Sequence, residues 1–400
     1  MIPDITPSVK FIGADDLDLD LFEGQYVVPE GMSYNSYVIL DEQVAVLDTV
    51  DARKGDVWKA NLAEALGSRT PDYLIVHHME PDHSALIAWM LEQYPSVKLV
   101  ATAAALKMLP QFFEGIALEG RTMAVKEGDT LSLGRHALKF FMAPMVHWPE
   151  VMVSYEPAEK ILFSADAFGR FGAMSKIAFW SSDDDDWACE ARRYYFNICG
   201  KYGVQVQNLL KKLAGTDIAM ICPLHGPILN ENLGYHLGLY QTWSSYGVET
   251  EGIFVAYASI HGGTAAAAER FADMLREKGC PKVAVADICR DDLAECVEDA
   301  FRYGKMVLAA SSYDAGLYTP MHDFLYRLQA KGYQKRTVGL IENGSWAPSA
   351  GRVMKEMLGA MKEITLVEPM VTIRSRMHAE DLPKLAALAD AMLAATAQSC

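Results

Sequence analysis

Apolar and polar positions follow two different rhythms along this chain, and the change falls near residue 248. Before it, short apolar runs at 44–48, 73–76, 99–101, 137–141, 152–154, 160–165 and 217–221 read as strands, bounded by glycine-rich or polar turns. Helical spacing occupies 59–66, 84–94 and 188–212, giving a mixed αββα pattern. After residue 251 the alternation is regular. Runs at 253–257, 283–286, 306–310, 337–341 and 364–367 predict five strands. Helices fill the gaps, from 265–278 to the Ala/Leu-rich stretch 379–397. Five parallel strands covered by helices make a doubly wound α/β sheet. No internal repeat or low-complexity linker appears; 244–252 is a short polar boundary. The expected domains are 1–249 and 250–400.

Chemistry-bearing residues gather where the first domain's strands end. His78-Met-Glu80-Pro-Asp82-His83 directly follows the run 73–76. In an extended backbone alternate side chains share a face, so His78, Glu80 and Asp82 are expected to converge on one volume. His83 would then open the helix 84–94. Two imidazoles and two carboxylates at this spacing mark a metal or catalytic site. His147 follows 137–141, Asp166 ends 160–165 and His225 follows 217–221. Each alone reads as an ordinary turn residue; their common placement at strand ends points to one site. His77 faces the other side of the extended backbone, as packing or as support. Tyr194 and Tyr195 lie on a helix able to cap the pocket, Tyr195 as the candidate neighbour of the ligands. Ser181 to Trp187 holds the acidic run 183–186, read as the start of a helix, where negative charge suits the dipole.

In the second half, three loops at strand ends are polar and small. Ser259-Ile-His261-Gly262-Gly263-Thr264 leaves the first strand and opens a helix, so its backbone N–H groups can wrap a phosphate. The third strand ends in Ser311-Ser312-Tyr313-Asp314-Ala315-Gly316 and the fourth in Glu342-Asn343-Gly344-Ser345-Trp346. A glycine turn alone is a weak signal. Three such loops side by side make a binding site.

Composition sets the outer limits. The chain has 400 residues, 51% hydrophobic, enough for substantial cores. Its net charge of −16 comes without a basic run, which argues against nucleic acid or an anionic membrane as partner. No apolar stretch approaches the ~20 residues of a membrane span, and the first residues lack a basic, apolar leader. The seven cysteines include no Cys-x-x-Cys pair. Disulfides or a thiolate metal site are therefore not expected, a cytoplasmic setting is, and an iron–sulfur electron donor would be a separate protein.

The set His-x-Glu-x-Asp-His followed by His, Asp and His resembles the flavodiiron proteins, in which a metallo-β-lactamase-like domain joins a flavodoxin-like domain. The resemblance spans nearly the whole chain. It implies that His78, Glu80 and His147 bind one iron, that Asp82, His83 and His225 bind the other, and that Asp166 bridges them. Hydrolytic zinc relatives of this fold carry His where this chain has Glu80. The added carboxylate supplies a hard oxygen donor, which suits iron or manganese, and three carboxylates nearly balance two divalent cations.

Resemblance to flavodoxins implies FMN. Ser259, His261, Gly262, Gly263 and Thr264 would hold its phosphate, and Trp346 and Tyr313 would lie against its ring. Ser312, Asp314, Ala315, Gly316, Asn343, Gly344 and Ser345 would line the remainder. Neither a Gly-x-Gly-x-x-Gly turn nor a ribose-binding acid is evident, which disfavours a dinucleotide. No Arg or Lys occurs in either of the phosphate-facing loops, so binding by neutral groups is expected. The family implies reduction of dioxygen to water, of nitric oxide to nitrous oxide, or both. It also implies head-to-tail homodimers and a donor such as rubredoxin, a reduced deazaflavin or a flavin reductase. Two rivals are a zinc hydrolase carrying a flavodoxin-like domain and an electron carrier whose first domain holds no metal.

Overall fold

In the computed structural model residues 4–396 are described; Cys400 and the expected helix end at Ala397 lie outside them. The chain divides into two compact units, Met1–Tyr195 with Val204–Tyr240, and Phe196–Gly203 with Gln241–Cys400.

The first unit is built on two sheets. One runs Val9–Phe11, Tyr37–Leu40, Val44–Leu47, Tyr73–Ile75, Lys98–Thr102, Thr122–Val125, with the last four strands mutually parallel. The other runs Thr130–Ser132, Ala137–Met142, Met152–Glu156, Ile161–Phe163, Met220–Cys222, and only its last pair is parallel. Alternate residues of both sheets meet in a shared core: Ile39, Leu47, Ile75 and Val100 from one, Leu138, Phe140, Met152 and Phe163 from the other. The intervening Val38, Val46, Leu74 and Leu99 are also fully buried. Helices Gly55–Leu66 and Ala103–Phe112 pack on that face of the first sheet. Burial on both faces is why these strands read as unbroken apolar runs.

The second unit is one parallel sheet in the order Val283–Asp287, Thr250–Ala258, Tyr303–Tyr313, Arg336–Asn343, Ile364–Ile373. That is the flavodoxin-like order 2-1-3-4-5. Helices Gly263–Glu277 and Leu382–Ala394 pack into one core with Ile253, Val255, Val307, Ile341 and Val371. Gly339 lets the last helix approach: a Cβ there would lie 2.8 Å from Met392 Sδ. Arg336, fully buried, has its Nη1 donating to Tyr246 O at 2.7 Å and its Nη2 to Gly247 O at 3.1 Å, which ties the incoming chain to the sheet.

Several elements depart from the sequence reading. The helix expected over 84–94 is two helices, Pro81–Ser84 and Ile87–Gln93, so Asp82 and His83 are themselves helical. Proline at the first helical position starts this turn early. The expected 188–212 helix is likewise two, Trp187–Ile198 and Gly203–Leu213. The acidic run 183–186 is more than a helix start, because Asp184 pairs with the buried Arg170.

Candidate metal centre and cofactor cavity

Seven donors from four places in the chain meet at the ends of the first unit's strands. His78, Glu80, His147 and Asp166 form one cluster and Asp82, His83 and His225 another, the ligand atoms within each lying within 4.8 Å of one another. Alternation along an extended strand does not produce this arrangement. The strand stops at Ile75, and Glu80 precedes a helical turn that carries Asp82 and His83 into the second cluster. The expectation that His78, Glu80 and Asp82 share one face is corrected accordingly.

Asp166 stands between the clusters. Its Oδ2 lies 3.1 Å from His147 Nε2 and 3.6 Å from His78 Nε2, and its Oδ1 lies 3.2 Å from His83 Nε2 and 3.9 Å from His225 Nε2. Glu80 Oε2 is 2.9 Å from His147 Nε2 and 3.2 Å from His78 Nε2. Asp82 Oδ2 is 3.3 Å from the Nε2 atoms of both His83 and His225. Both oxygens of Asp82 and of Asp166 are buried without a well-formed hydrogen bond. Four bare carboxylate oxygens facing imidazole nitrogens would be costly without a cation between them. The donor set therefore fits two metal ions.

The electrostatics point the same way. Burial works to lower the His78, His83 and His147 pKa values, but the surrounding carboxylates outweigh it, and His147 is pushed up to about 9. Burial opposes ionisation of Glu80, yet hydrogen bonds from His147 and His78 bring it down to about 2; Asp166 is held well below the usual range despite its burial. The carboxylates stay charged and collect positive charge around them.

The imidazoles are aimed from behind. His78 Nδ1 donates to Glu150 Oε1 at 2.8 Å, leaving Nε2 toward the site, and Glu150 Oε1 also accepts from the Met79 N–H at 2.8 Å. This is the carboxylate–histidine pairing that fixes a ligating tautomer. His225 Nδ1 donates to Ser33 O at 2.8 Å, and Ser33 Oγ accepts from Gly226 N at 2.7 Å. Glu150 and Ser33 are the residues that sequence reasoning left without a role at the site. His77, expected as packing or support, is buried between Asp48 Oδ2 at 2.6 Å and Ser154 Oγ at 2.7 Å. Trp148 stands edge-on to His78, ring centroids 5.2 Å apart. The Tyr194 ring centre is 5.6 Å from that of His225, and Tyr195 packs on Tyr240 at 5.1 Å.

In the second unit a cavity of about 1100 Å³ opens at the strand ends. Its walls include Ser259, His261, Gly262, Gly263, Thr264, Ser312, Tyr313, Asp314, Ala315, Asn343, Gly344, Ser345 and Trp346, and its size suits a mononucleotide. Gly316 does not line it; its carbonyl accepts from Ser349 Oγ at 2.8 Å. Gly262, at φ +84°, precedes the helix Gly263–Glu277, and Gly262, Gly263 and Thr264 at its start line the cavity, as a phosphate site would require. Trp346 is 90% exposed and Tyr313 47%, free to lie against a planar ring. Ser312 Oγ is engaged, accepting from the N–H groups of Ser349 and Ala350. Asn343 is engaged as well, through Thr264 and Ser375. A fourth loop contributes Ser375, Arg376 and Met377, so a cationic side chain lines the cavity although the two phosphate-facing loops hold none.

Together these units define the class: a metallo-β-lactamase-like domain with a dinuclear donor set, joined to a flavodoxin-like domain with an open mononucleotide-sized cavity. The family model described as "ODP family beta lactamase" matches residues 32–226. The nitric oxide reductase of Moorella thermoacetica is 29% identical over 95% of each chain. The structure of rubredoxin oxygen:oxidoreductase from Desulfovibrio gigas is similar with TM-score 0.91 and 25% identity, over 99% of this chain and 100% of that one. The flavodiiron protein from Giardia intestinalis gives TM-score 0.89 at 23% identity, over 98% and 96%. The chain spans 58% of the length of a diflavin flavoprotein relative from Synechocystis. Over nearly its whole length the chain is thus similar to flavodiiron proteins.

Proposed function

We propose that this protein reduces dioxygen to water, nitric oxide to nitrous oxide, or both, using two irons in the first domain (1–249) and FMN in the second (250–400). Iron fits because imidazole and hard carboxylate oxygens make up the whole donor set. Bound there, the irons and the reduced flavin supply the electrons that the gas accepts.

What the chain's own residues contribute can be read from their contacts. His78, Glu80 and His147 would hold one ion, Asp82, His83 and His225 the other, and Asp166 would offer one oxygen to each. Glu150 and the Ser33 carbonyl keep His78 and His225 in the tautomer that presents Nε2. Phe22, Tyr34 and Tyr194 surround the His225 ring with apolar edges that limit water. The observation that carries this reading is Asp166, buried, with one oxygen turned toward each cluster.

The zinc hydrolase reading is not favoured: Glu80 replaces an imidazole donor, and a flavin cavity has no task in ester or lactam hydrolysis. Among the described residues no helix is long and apolar enough to cross a membrane. We further propose a cytoplasmic protein working as a head-to-tail homodimer, fed by a separate rubredoxin-type or deazaflavin donor. The test is iron and flavin content of the purified protein, with steady-state rates for each gas under one common reductant. Two irons, one flavin and turnover of either gas are expected. Two zincs with no flavin absorbance would refute the proposal.

A further inference from the structure

We propose that the turn 374–377 is a fourth wall of the flavin cavity, and that Arg376 in it binds the phosphate of the mononucleotide. The inference rests on the FMN reading above and adds a charged ligand to it.

The turn is fixed by the other loops. Asn343 binds Ser375 from both sides of its amide, accepting from Ser375 N at 2.9 Å and donating to Ser375 O at 3.1 Å. The same amide donates to Thr264 Oγ1 at 3.2 Å, and Ser345 Oγ lies 2.6 Å from Ser375 Oγ. Asn343 thereby ties three of the four loops together, and Ser375 adopts φ +63°. The contact with the helix start is closer still: a Cβ on Gly263 would lie 2.2 Å from Ser375 O. Only glycine at 263 admits this approach. Arg376 thus leaves the backbone one residue from the point where the turn touches the first residue of the Gly263–Glu277 helix, the end of the cavity suited to an anion.

Charge supplies the second argument. A mononucleotide phosphate carries about two negative charges near neutrality. Among the described residues lining the cavity, Asp314 adds another negative charge, and Arg376 alone is permanently positive. In a chain of net charge −16, a dianion gains nothing from the protein's overall field and needs a local cation. A guanidinium is suited to phosphate by its forked donors. Because Arg376 is exposed, its contribution should be screened by salt.

The test titrates flavin-stripped full-length protein with FMN and with riboflavin, at low and high ionic strength, for wild type, Arg376→Gln and Arg376→Lys. Arg376→Gln is expected to weaken FMN about tenfold or more at low salt while leaving riboflavin unchanged, and to flatten the salt dependence of FMN binding. Arg376→Lys is expected to recover part of the loss. Unchanged FMN affinity in Arg376→Gln overturns the assignment. So does an equal loss for both flavins, which would place the side chain's effect on the ring or the fold. Wild-type protein that binds neither flavin would instead remove the FMN reading itself.

Discussion

Replacing Glu150 by alanine separates support of one metal from support of the other. Its Oε1 accepts two hydrogen bonds, each 2.8 Å, from His78 Nδ1 and from the Met79 backbone N–H. Bonds to a charged acceptor are worth about 1.5–3 kcal/mol each. The bond to Met79 falls on folding stability, because that N–H is buried and loses its partner. The bond to His78 falls on the metal, since an untethered imidazole must be oriented on binding. About 1.5–3 kcal/mol there corresponds to roughly tenfold to a hundredfold weaker binding, the usual range for a supporting carboxylate. Among the described residues no hydrogen bond or ion pair joins Glu150 to Asp82, His83 or His225, so the second ion should keep its affinity. The assay is chelator competition against metal-free protein, resolving two binding steps, with a thermal melt run alongside. One step should weaken in Glu150→Ala and less so in Glu150→Gln, whose amide oxygen can still accept. Two unchanged steps, or two equally weakened ones, would refute the argument.

Asp166→Ala should lose gas reduction and at least one iron while the flavin absorbance stays, measured on the same preparation. Trp346→Ala should alter flavin affinity or potential without changing iron content, and its exposure predicts a stability change under about 0.5 kcal/mol. Arg336→Ala should destabilise the second unit by about 3 kcal/mol or more in denaturant unfolding, because the Tyr246 and Gly247 carbonyls lose a buried donor. In chelator-treated protein, His147, raised from 6.5 to about 9, stabilises fully below 6.5 and its share is lost as pH rises through about 9. Glu80, lowered from 4.5 to about 2, stabilises above 4.5 and its share is lost as pH falls through about 2. Calorimetry across that range should give a maximum melting temperature between 4.5 and 6.5 for the metal-free form; a flat profile would contradict the assignment.

The doubly wound sheet was legible because each of its central strands is buried on both faces and so reads as an apolar run. Its edge was less so. The fifth strand was expected over 364–367; in the structure it continues to Ile373, past Pro369 and a register irregularity, as an edge strand tolerates. That extension delivers Ser375 and Arg376 to the cavity, and this is why the fourth loop escaped sequence reasoning. In the first unit, strands of two to four residues such as Ala14–Asp16 and Met32–Tyr34 carry too little pattern to be recognised. Glu150 gave no local signal either. It lies in a Trp-Pro-Glu loop and meets His78 only because the fold brings together positions 72 apart in sequence.

What the sequence could not convey is how ligands from separate strand ends come to share one frame. His77, the neighbour of the first ligand, supplies part of the answer. Its ring joins Asp48, at the end of a strand in one sheet, to Ser154, within a strand of the other, and its carbonyl accepts from Met152 N at 3.1 Å. Next to Asp48, Thr49 donates through both its N–H and its hydroxyl to His83 O, at 2.7 and 2.8 Å. The two-residue turn 48–49 therefore grips the ligand loop on both sides, at His77 and at His83. The two sheets cannot slide past each other without breaking the His77 bridge, and the loop cannot lengthen without breaking the Thr49 grip. Spacing between the two donor clusters is thus set by the same buried hydrogen bonds that lock the sandwich, so a change that loosens the sheets should loosen the metal pair before it unfolds the domain.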